Sequence, residues 1–503
     1  MHSEQVARTT AVDPPAVMKD PSRKRLIGVD AARGLALIGL MAVHILTEAD
    51  EVTHEPTLVF SIFNGNSAAL FALLAGVGLA LSTGGSTPHR GRRLRGDRTG
   101  LAVRALLIGI IGLTIAAILP ADPPAYGILV YYAVFFLLAI PFLRLSSRVL
   151  FGAAAVFGIA APLLMQKLEP VLPGTSVDNH TLVTVFTEPL GTAAELLLTG
   201  MYPALPYLAY ILAGLGLGRL GLHRTRTQVA IVLSGAFLAL GARLLSGLLL
   251  YVAGGYQALL ATEEMDREHL DEALMFPTGE LPDTSGWWLA VVTGHSNAPL
   301  AIASSLGIGM AVLGLCLLLG ARAGRWLTPL AAMGAMTLTL YTVHLIALAP
   351  EVHYHDPGPW FVVHLGLAAI VAWFWIRRFG KGPLETIVGR AVQGTRAESM
   401  TVWVNALVES SGGSILENPE AAADEAVQRL DAVALHRAGG SPPARQLGRD
   451  RGGRGRRLDP RAKPPNDELR TRQPGIYAGV GVVQVVRRSR FRGAGGGRCS
   501  EHV

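Results

Sequence analysis

The sequence predicts an all-α fold: a polytopic integral membrane helical bundle of about ten transmembrane helices, followed by a disordered C-terminal tail. Three observations carry that expectation. Of the 503 residues, 50% are hydrophobic and only 16% charged, and the mean hydropathy is +0.39, a balance outside that of soluble globular chains. The apolar residues fall in blocks of about twenty, the length that spans a hydrocarbon core. The loops between the blocks alternate between basic and nearly uncharged or acidic. A soluble enzyme is excluded on these grounds. The formal net charge of +7 is no nucleic-acid signal either, because residues 396–503 hold 18 Lys+Arg against 12 Asp+Glu and so nearly all of the excess.

The expected spans are 27–47, 56–83, 100–119, 126–143, 149–166, 192–218, 228–252, 297–320, 328–349 and 359–377. Backbone amides in hydrocarbon must be bonded within the segment, so each block is expected to be helical. The first block runs on for about twenty residues after Ser22-Arg23-Lys24-Arg25, which marks it as a retained span rather than a cleaved signal. Basic residues favour the cytoplasmic side of short loops. The N-terminal segment, His89 to Arg93, Arg144 to Arg148, Arg219 to Arg226, Arg322 to Arg325 and Arg377 to Arg390 alternate with loops whose only basic residues are Lys167 and Arg267. An even number of spans follows, with both termini cytoplasmic and the plasma membrane as the location. Residues 1–24 are then a cytoplasmic segment, 25–394 the membrane domain and 395–503 a Pro-, Gly- and Arg-rich tail without a candidate span. One amphipathic stretch is expected in that tail, at 421–437. The two cysteines, Cys316 and Cys499, offer no disulfide framework.

Polar groups inside spans are costly and usually face a bundle interior or an aqueous cavity, so each is a candidate for function. Asp30 and Arg33 open the first span three residues apart, on one helical face and within reach of an ion pair. Asn64 and Asn66 flank Gly65 in the second span, placing two amides where a packed helix has little use for them. Arg243 lies deep in the seventh span and calls for an anionic partner, with Glu195 as one possibility. The histidines are biased: His44, His54, His180, His269, His295, His344, His353, His355 and His364 all map to the outer half of spans or to outer loops. That bias points to a polar site on the extracytoplasmic side, where an imidazole is the natural base near neutral pH. His44, His295 and His344, in or beside apolar helices, are the stronger members; His180, His269, His353 and His355 read as solvated loop residues. No zinc spacing is convincing, His353-Tyr354-His355-Asp356 being a short loop cluster, and no metal is expected. Gly214, Gly216 and Gly218 lie inside a span with no preceding strand, which makes them helix-packing residues and not a dinucleotide loop.

The run Arg25-Leu26-Ile27-Gly28-Val29-Asp30-Ala31-Ala32-Arg33-Gly34-Leu35-Ala36, with the later block from Phe63-Asn64-Gly65-Asn66-Ser67 to Ala75-Gly76, resembles the bacterial branch of the heparan-alpha-glucosaminide N-acetyltransferase-like membrane proteins. Further echoes lie in Thr199 to Tyr207 and Leu338 to His344, so the resemblance covers roughly residues 24–390. It implies a transmembrane acyltransferase in which acetyl-CoA or another acyl-CoA, the co-substrate, gives up its acyl group at the cytoplasmic face to a small-molecule, lipid or sugar acceptor at the outer face. It also implies an assisting histidine: His54 resembles the family's outer-loop catalytic histidine, and His44 stands where relatives more often have asparagine. A small-molecule or lipid transporter is the alternative, since it needs the same buried polar residues. The lipid bilayer is the expected surrounding and nucleic acid is not a partner. A reporter fused after Gly394 is expected on the cytoplasmic side; an extracytoplasmic signal there would show that one span is miscounted.

Overall fold

Every apolar block expected to cross the membrane is helical in the computed structural model, and no strand element occurs among the described residues. Those residues are 26–410, without 51, 121, 263, 264, 277, 278 and 280, and with backbone alone from 397 to 410. They belong to the first of two units, residues 1–426. The amphipathic stretch at 421–437 and the tail beyond 410 lie outside the described residues. The helices that matter are α1 (Ile27–Ile45), α2 (Leu58–Phe63), α3 (Asn66–Ser82), α4 (Gly91–Ala116), α5 (Leu129–Ala139), α6 (Ser147–Leu168), α7 (Ala204–Gly218), α8 (Thr225–Gly247), α9 (Pro299–Ala323), α10 (Thr328–Ala335), α11 (Thr337–Leu348), α12 (Pro357–Phe379) and α13 (Pro383–Ser410).

Seven segments are long and apolar enough to cross a membrane, or nine if each of two bent pairs counts as one span. With the shorter apolar helix Leu129–Arg144 these account for all ten expected blocks, three of which differ from a single long helix. The fourth block is α5 continued only by a 3₁₀ turn, Ile140–Arg144. The sixth is Pro189–Thr199 plus α7, bent by 46°, and the ninth is α10 plus α11, bent by 78°. Hydropathy averaged over a window runs straight through such breaks, because the residues at a bend are as apolar as those in the helices beside it. The second block is broken as well: Gly65 adopts φ 69° between α2 and α3, a left-handed conformation that glycine takes at little cost. Asn66 repairs part of the damage by donating its side-chain amide to the Ile62 carbonyl at 2.9 Å.

The core is built around α7, in which every residue except Leu205 is buried. Its glycines bring it against α3 at backbone distance. A methyl group on Gly214 would overlap the Leu73 carbonyl, and one on Gly76 the Ile211 carbonyl, the close approach that small residues permit between membrane helices. α1 crosses α10 in the same way, through Gly34 and Gly334. The periphery is formed by α8 and α12, whose apolar windows are only 22% (to Val252) and 6% buried.

One end of the bundle is basic. Here the buried Arg219, just past α7, donates to the carbonyls of Ala80, Thr83, Gly85 and Leu143 and to the Thr83 hydroxyl. It thereby ties the loop after α3 to the turn that ends at Arg144. Burial lowers its pKa, against the pull of Asp97. At the same end Arg396 of α13 pairs with Asp97 of α4 at 2.9 Å, and His89 meets the other oxygen of Asp97 at 2.7 Å.

Gly214→Ala is expected to lower the thermal midpoint of the solubilised protein, by the ~1–3 kcal/mol typical of overpacking. Gly241→Ala is the control: a Cβ there meets nothing within 4 Å, so the midpoint should hold or rise slightly.

Candidate functional site

A cavity of about 560 Å³ runs into the bundle from the basic end. Its mouth is set by Lys381, just before α13, and by Glu385, Gly389 and Val392 within that helix; Arg33 and Arg104 line its wall, and Leu40, Tyr132 and Tyr341 line its apolar and aromatic part. Arg33 is held by Asp30, 3.3 Å away, and by the Leu74 carbonyl at 3.4 Å, so the three-residue spacing yields the expected pair. The buried member is Asp30, which leaves the guanidinium to the cavity. Arg104 lies 5.5 Å from the Phe136 ring centroid, over its face. Glu385 is bonded to Thr339: its carboxylate accepts from the Thr339 amide at 3.1 Å and from the Thr339 hydroxyl at 2.7 Å. That caps the start of α11, where orphan backbone donors collect at the 78° bend. The cavity lining thus holds three cationic side chains, while its one carboxylate is committed to a helix end.

Histidines occupy the bundle beyond the deep end of this cavity. His44 lies one helical turn past Leu40 on α1, and His344 lies three residues past Tyr341 on α11; both spacings keep a side chain on the same face. The His44 Nδ1 and His344 Nε2 atoms are 3.1 Å apart, with the rings stacked at 5.3 Å between centroids. His344 Nδ1 is in turn 3.0 Å from His364 Nε2 on α12. Tyr341 sits between the two regions: its ring is 6.4 Å from that of His344, and its hydroxyl accepts from the Ile128 amide at 3.3 Å.

The break in the second block reaches the same neighbourhood. A side chain on Gly65 would run into Gly294 and the amide of His295, and one on Gly294 would strike Asn64. Asn64 and Asn66 therefore flank a backbone contact with the loop before α9. In that loop His295 (φ 58°) and Asn297 (φ 55°) both adopt left-handed backbone, a conformation that costs energy outside glycine and concentrates at functional sites. The His295 ring lies edge-on to Tyr202 at 5.3 Å. Tyr202 in turn contacts Tyr131 and Tyr207, forming an aromatic wall.

The remaining candidates lie apart. His54 is exposed on the loop after α1, with φ 56°. Arg243 is exposed on the outside of α8 and donates from Nε to the buried Ser304 hydroxyl at 3.1 Å. Glu195 is not its partner: that carboxylate accepts from Thr175 and lies 3.5 Å from His180. His180 and His353, read from sequence as solvated, are both buried. Sequence reasoning missed Arg104, Lys381, Glu385 and the bonding role of His364. The last had a signal, since His344 and His364 are equally far from Tyr354, the middle of the α11–α12 hairpin, and antiparallel helices bring such positions face to face. Among the described residues no group of three or more His, Cys, Asp or Glu side chains is arranged to hold a metal ion.

Residues 25–253 match the family model of heparan-alpha-glucosaminide N-acetyltransferase, catalytic. The match takes in the Asp30–Arg33 pair, His44, the Asn64–Asn66 break and Arg104. No curated protein matches the chain significantly.

His295 yields a pH signature. Burial pushes its imidazole down to about 4, against a smaller opposing pull from the Met201 backbone. The folded pKa lies below that of the unfolded chain, so the stability this neutral ring contributes is complete above about pH 6.5 and is lost as pH falls toward 4. Between those limits the loss approaches ~1.4 kcal/mol per pH unit. Thermal midpoints measured from pH 7 to pH 5 should therefore fall more steeply for the parent protein than for His295→Gln; equal slopes would show that His295 is not held neutral.

Proposed function

Since the chain is heparan-alpha-glucosaminide N-acetyltransferase-like over residues 25–253, and hence transmembrane acyltransferase-like, we propose that it takes an acyl group from acyl-CoA at the basic end of the bundle and passes it to an acceptor at the histidine end. In this reading the basic end is cytoplasmic, both termini lie on that side, and the membrane is the plasma membrane. The observation that carries the proposal is the continuity of two half-sites: a cavity with Arg33, Arg104 and Lys381 near its mouth, whose deep wall stands one helical turn from His44 and His344.

Each half suits one substrate. A phosphate-rich donor is matched by guanidinium and ammonium groups, with Arg supplying planar paired donors and Lys a point charge. The acyl chain and thioester extend into the apolar part lined by Leu40 and Tyr132. Transfer needs the acceptor's nucleophile to lose a proton as it attacks the thioester carbonyl, and the CoA thiolate leaves toward the basic end. His44, the histidine nearest the cavity on α1, takes that proton as general base. His54, which the resemblance favours, sits on the exposed loop that follows and is the second candidate. His295, Asn64 and Asn66 shape the acceptor side. Transport is the competing reading, and the broken helices favour it, because interrupted spans are a device of substrate sites in transporters.

Incubating the reconstituted protein with acetyl-labelled acetyl-CoA and candidate lipid or sugar acceptors separates the two readings. Acyl transfer with release of CoA thiol is expected; label that crosses the membrane without thioester cleavage would favour transport. His44→Ala should slow transfer by ~10²- to 10⁴-fold, the usual worth of a general base, with insertion unchanged. A loss of that size confined to His54→Ala would move the base to the loop. Arg104→Ala removes one charge-assisted contact worth ~1.5–3 kcal/mol, so the KM for acyl-CoA should rise by roughly 10- to 100-fold, with a smaller change in kcat.

A further inference from the structure

The bonding of the three histidines goes beyond a single base. His344 is fully buried and has both ring nitrogens in hydrogen bonds, to His44 at 3.1 Å and to His364 at 3.0 Å. A neutral imidazole carries one N–H and one bare nitrogen, so His344 must donate through one of these bonds and accept through the other. The chain is therefore directional, and its direction reverses when one proton passes along it. The two ends differ in surroundings. Both end rings are half-buried, but His44 belongs to α1, which is largely enclosed by the bundle, whereas His364 lies on α12, the most peripheral helix, two turns from its first residue, Pro357.

We propose that His44, His344 and His364 form a proton relay, through which the proton removed from the acceptor travels from the base to the bundle periphery. The steps balance. His44 Nε2 accepts the acceptor's proton while His44 Nδ1 passes its own to His344 Nε2. His344 Nδ1 then hands a proton to His364 Nε2, and His364 Nδ1 releases one to water at the near end of α12. No net charge stays on the buried ring, which is what low-dielectric surroundings favour, and the rings reset by exchanging tautomers between turnovers. His344 and His364 are thus positioning and proton-transfer residues and not groups that meet the acyl donor. His353 lies within electrostatic reach of all three rings, yet neither of its buried nitrogens has a hydrogen-bond partner, and it stands outside the relay.

The relay rests on the acyl-transfer reading, so the test has one arm that needs activity and one that does not. In the first arm, His364→Ala in the full-length reconstituted protein should slow acyl transfer by at least about tenfold, within the range of proton-transfer effects. Free imidazole in the buffer should restore much of the rate, because a small base can stand in for a half-buried ring. Undiminished activity, or a loss that imidazole cannot rescue, overturns the proposal and leaves His364 a packing residue. The second arm uses ¹⁵N-histidine NMR of the same protein in nanodiscs. His364→Ala should change the tautomer signature of His44, two bonds away along the chain, while His353→Gln should not. If the parent protein cleaves no acyl-CoA, the acyl-transfer reading fails and the NMR arm still decides the relay: an unchanged His44 signature overturns it, and a changed one upholds a proton path serving another reaction.

Discussion

An amide inside hydrocarbon has no water to turn to, and most of what is distinctive in this bundle depends on that constraint. Straight helices meet it without help. The helices here are interrupted at Gly65, between Thr199 and Ala204, and at Met336, and each interruption frees backbone groups that something else must satisfy. Asn66 reaches back across the break to α2, Glu385 reaches across from α13 to the start of α11, and Gly200 donates its amide to the Glu195 carbonyl. The interruptions coincide with the cavity and the histidine cluster. Gly334, Ala335 and Thr337 line the cavity beside one, and the Gly65 break touches the His295 loop. Breaks of this kind persist in a membrane where they border a cavity or polar cluster, and here they border both.

The close crossings make those breaks tolerable. Gly76 against α7 and Gly334 against α1 let backbones meet with no side chain between them, so the helix pairs around the site are held by packing at the shortest possible range. Arg219 performs the equivalent task at the basic end, where one buried guanidinium gathers carbonyls from several chain segments. The carbonyls share one cation, and the segments that carry them would lose that common tie if it were removed.

Much of this was legible in the sequence, and the boundary is physical. Helix type and approximate placement follow from block length, because hydrocarbon thickness fixes it. The Asp30–Arg33 pair follows from a spacing of three, and the packing role of Gly214 from its place inside an apolar block. The interruptions at Met336 and before Ala204 were invisible, since apolar residues on both sides of a bend read as one run. Arg104 and Lys381 looked like ordinary basic residues at span ends, and Glu385 like surface. Their meaning comes from distant segments, and a helix's own periodicity carries no information about which neighbour it will face. Arg243 shows the reverse error: its depth in the block suggested an anionic partner, but it is exposed and tied to the Ser304 hydroxyl. Of the histidines singled out, His44, His344 and His364 come together in the fold, and their pairing needed the α11–α12 hairpin to be closed.

The layer formed by Leu40, Tyr132 and Tyr341 has an electrical consequence. It separates a cavity wide enough for water from the hydrogen-bonded imidazoles of His44, His344 and His364, and it is about one side chain thick. Where two polar regions approach from opposite sides, the membrane voltage falls almost entirely across the material left between them, and a unit charge crossing there works against about 2.3 kcal/mol per 100 mV. A neutral acyl group feels none of that field, whereas a proton or a phosphate feels nearly all of it. The hydroxyl of Tyr341, held on the Ile128 amide, fixes one side chain of that layer in place. A cell that keeps an ion gradient would notice its loss first as a leak, whatever the chemistry on either side.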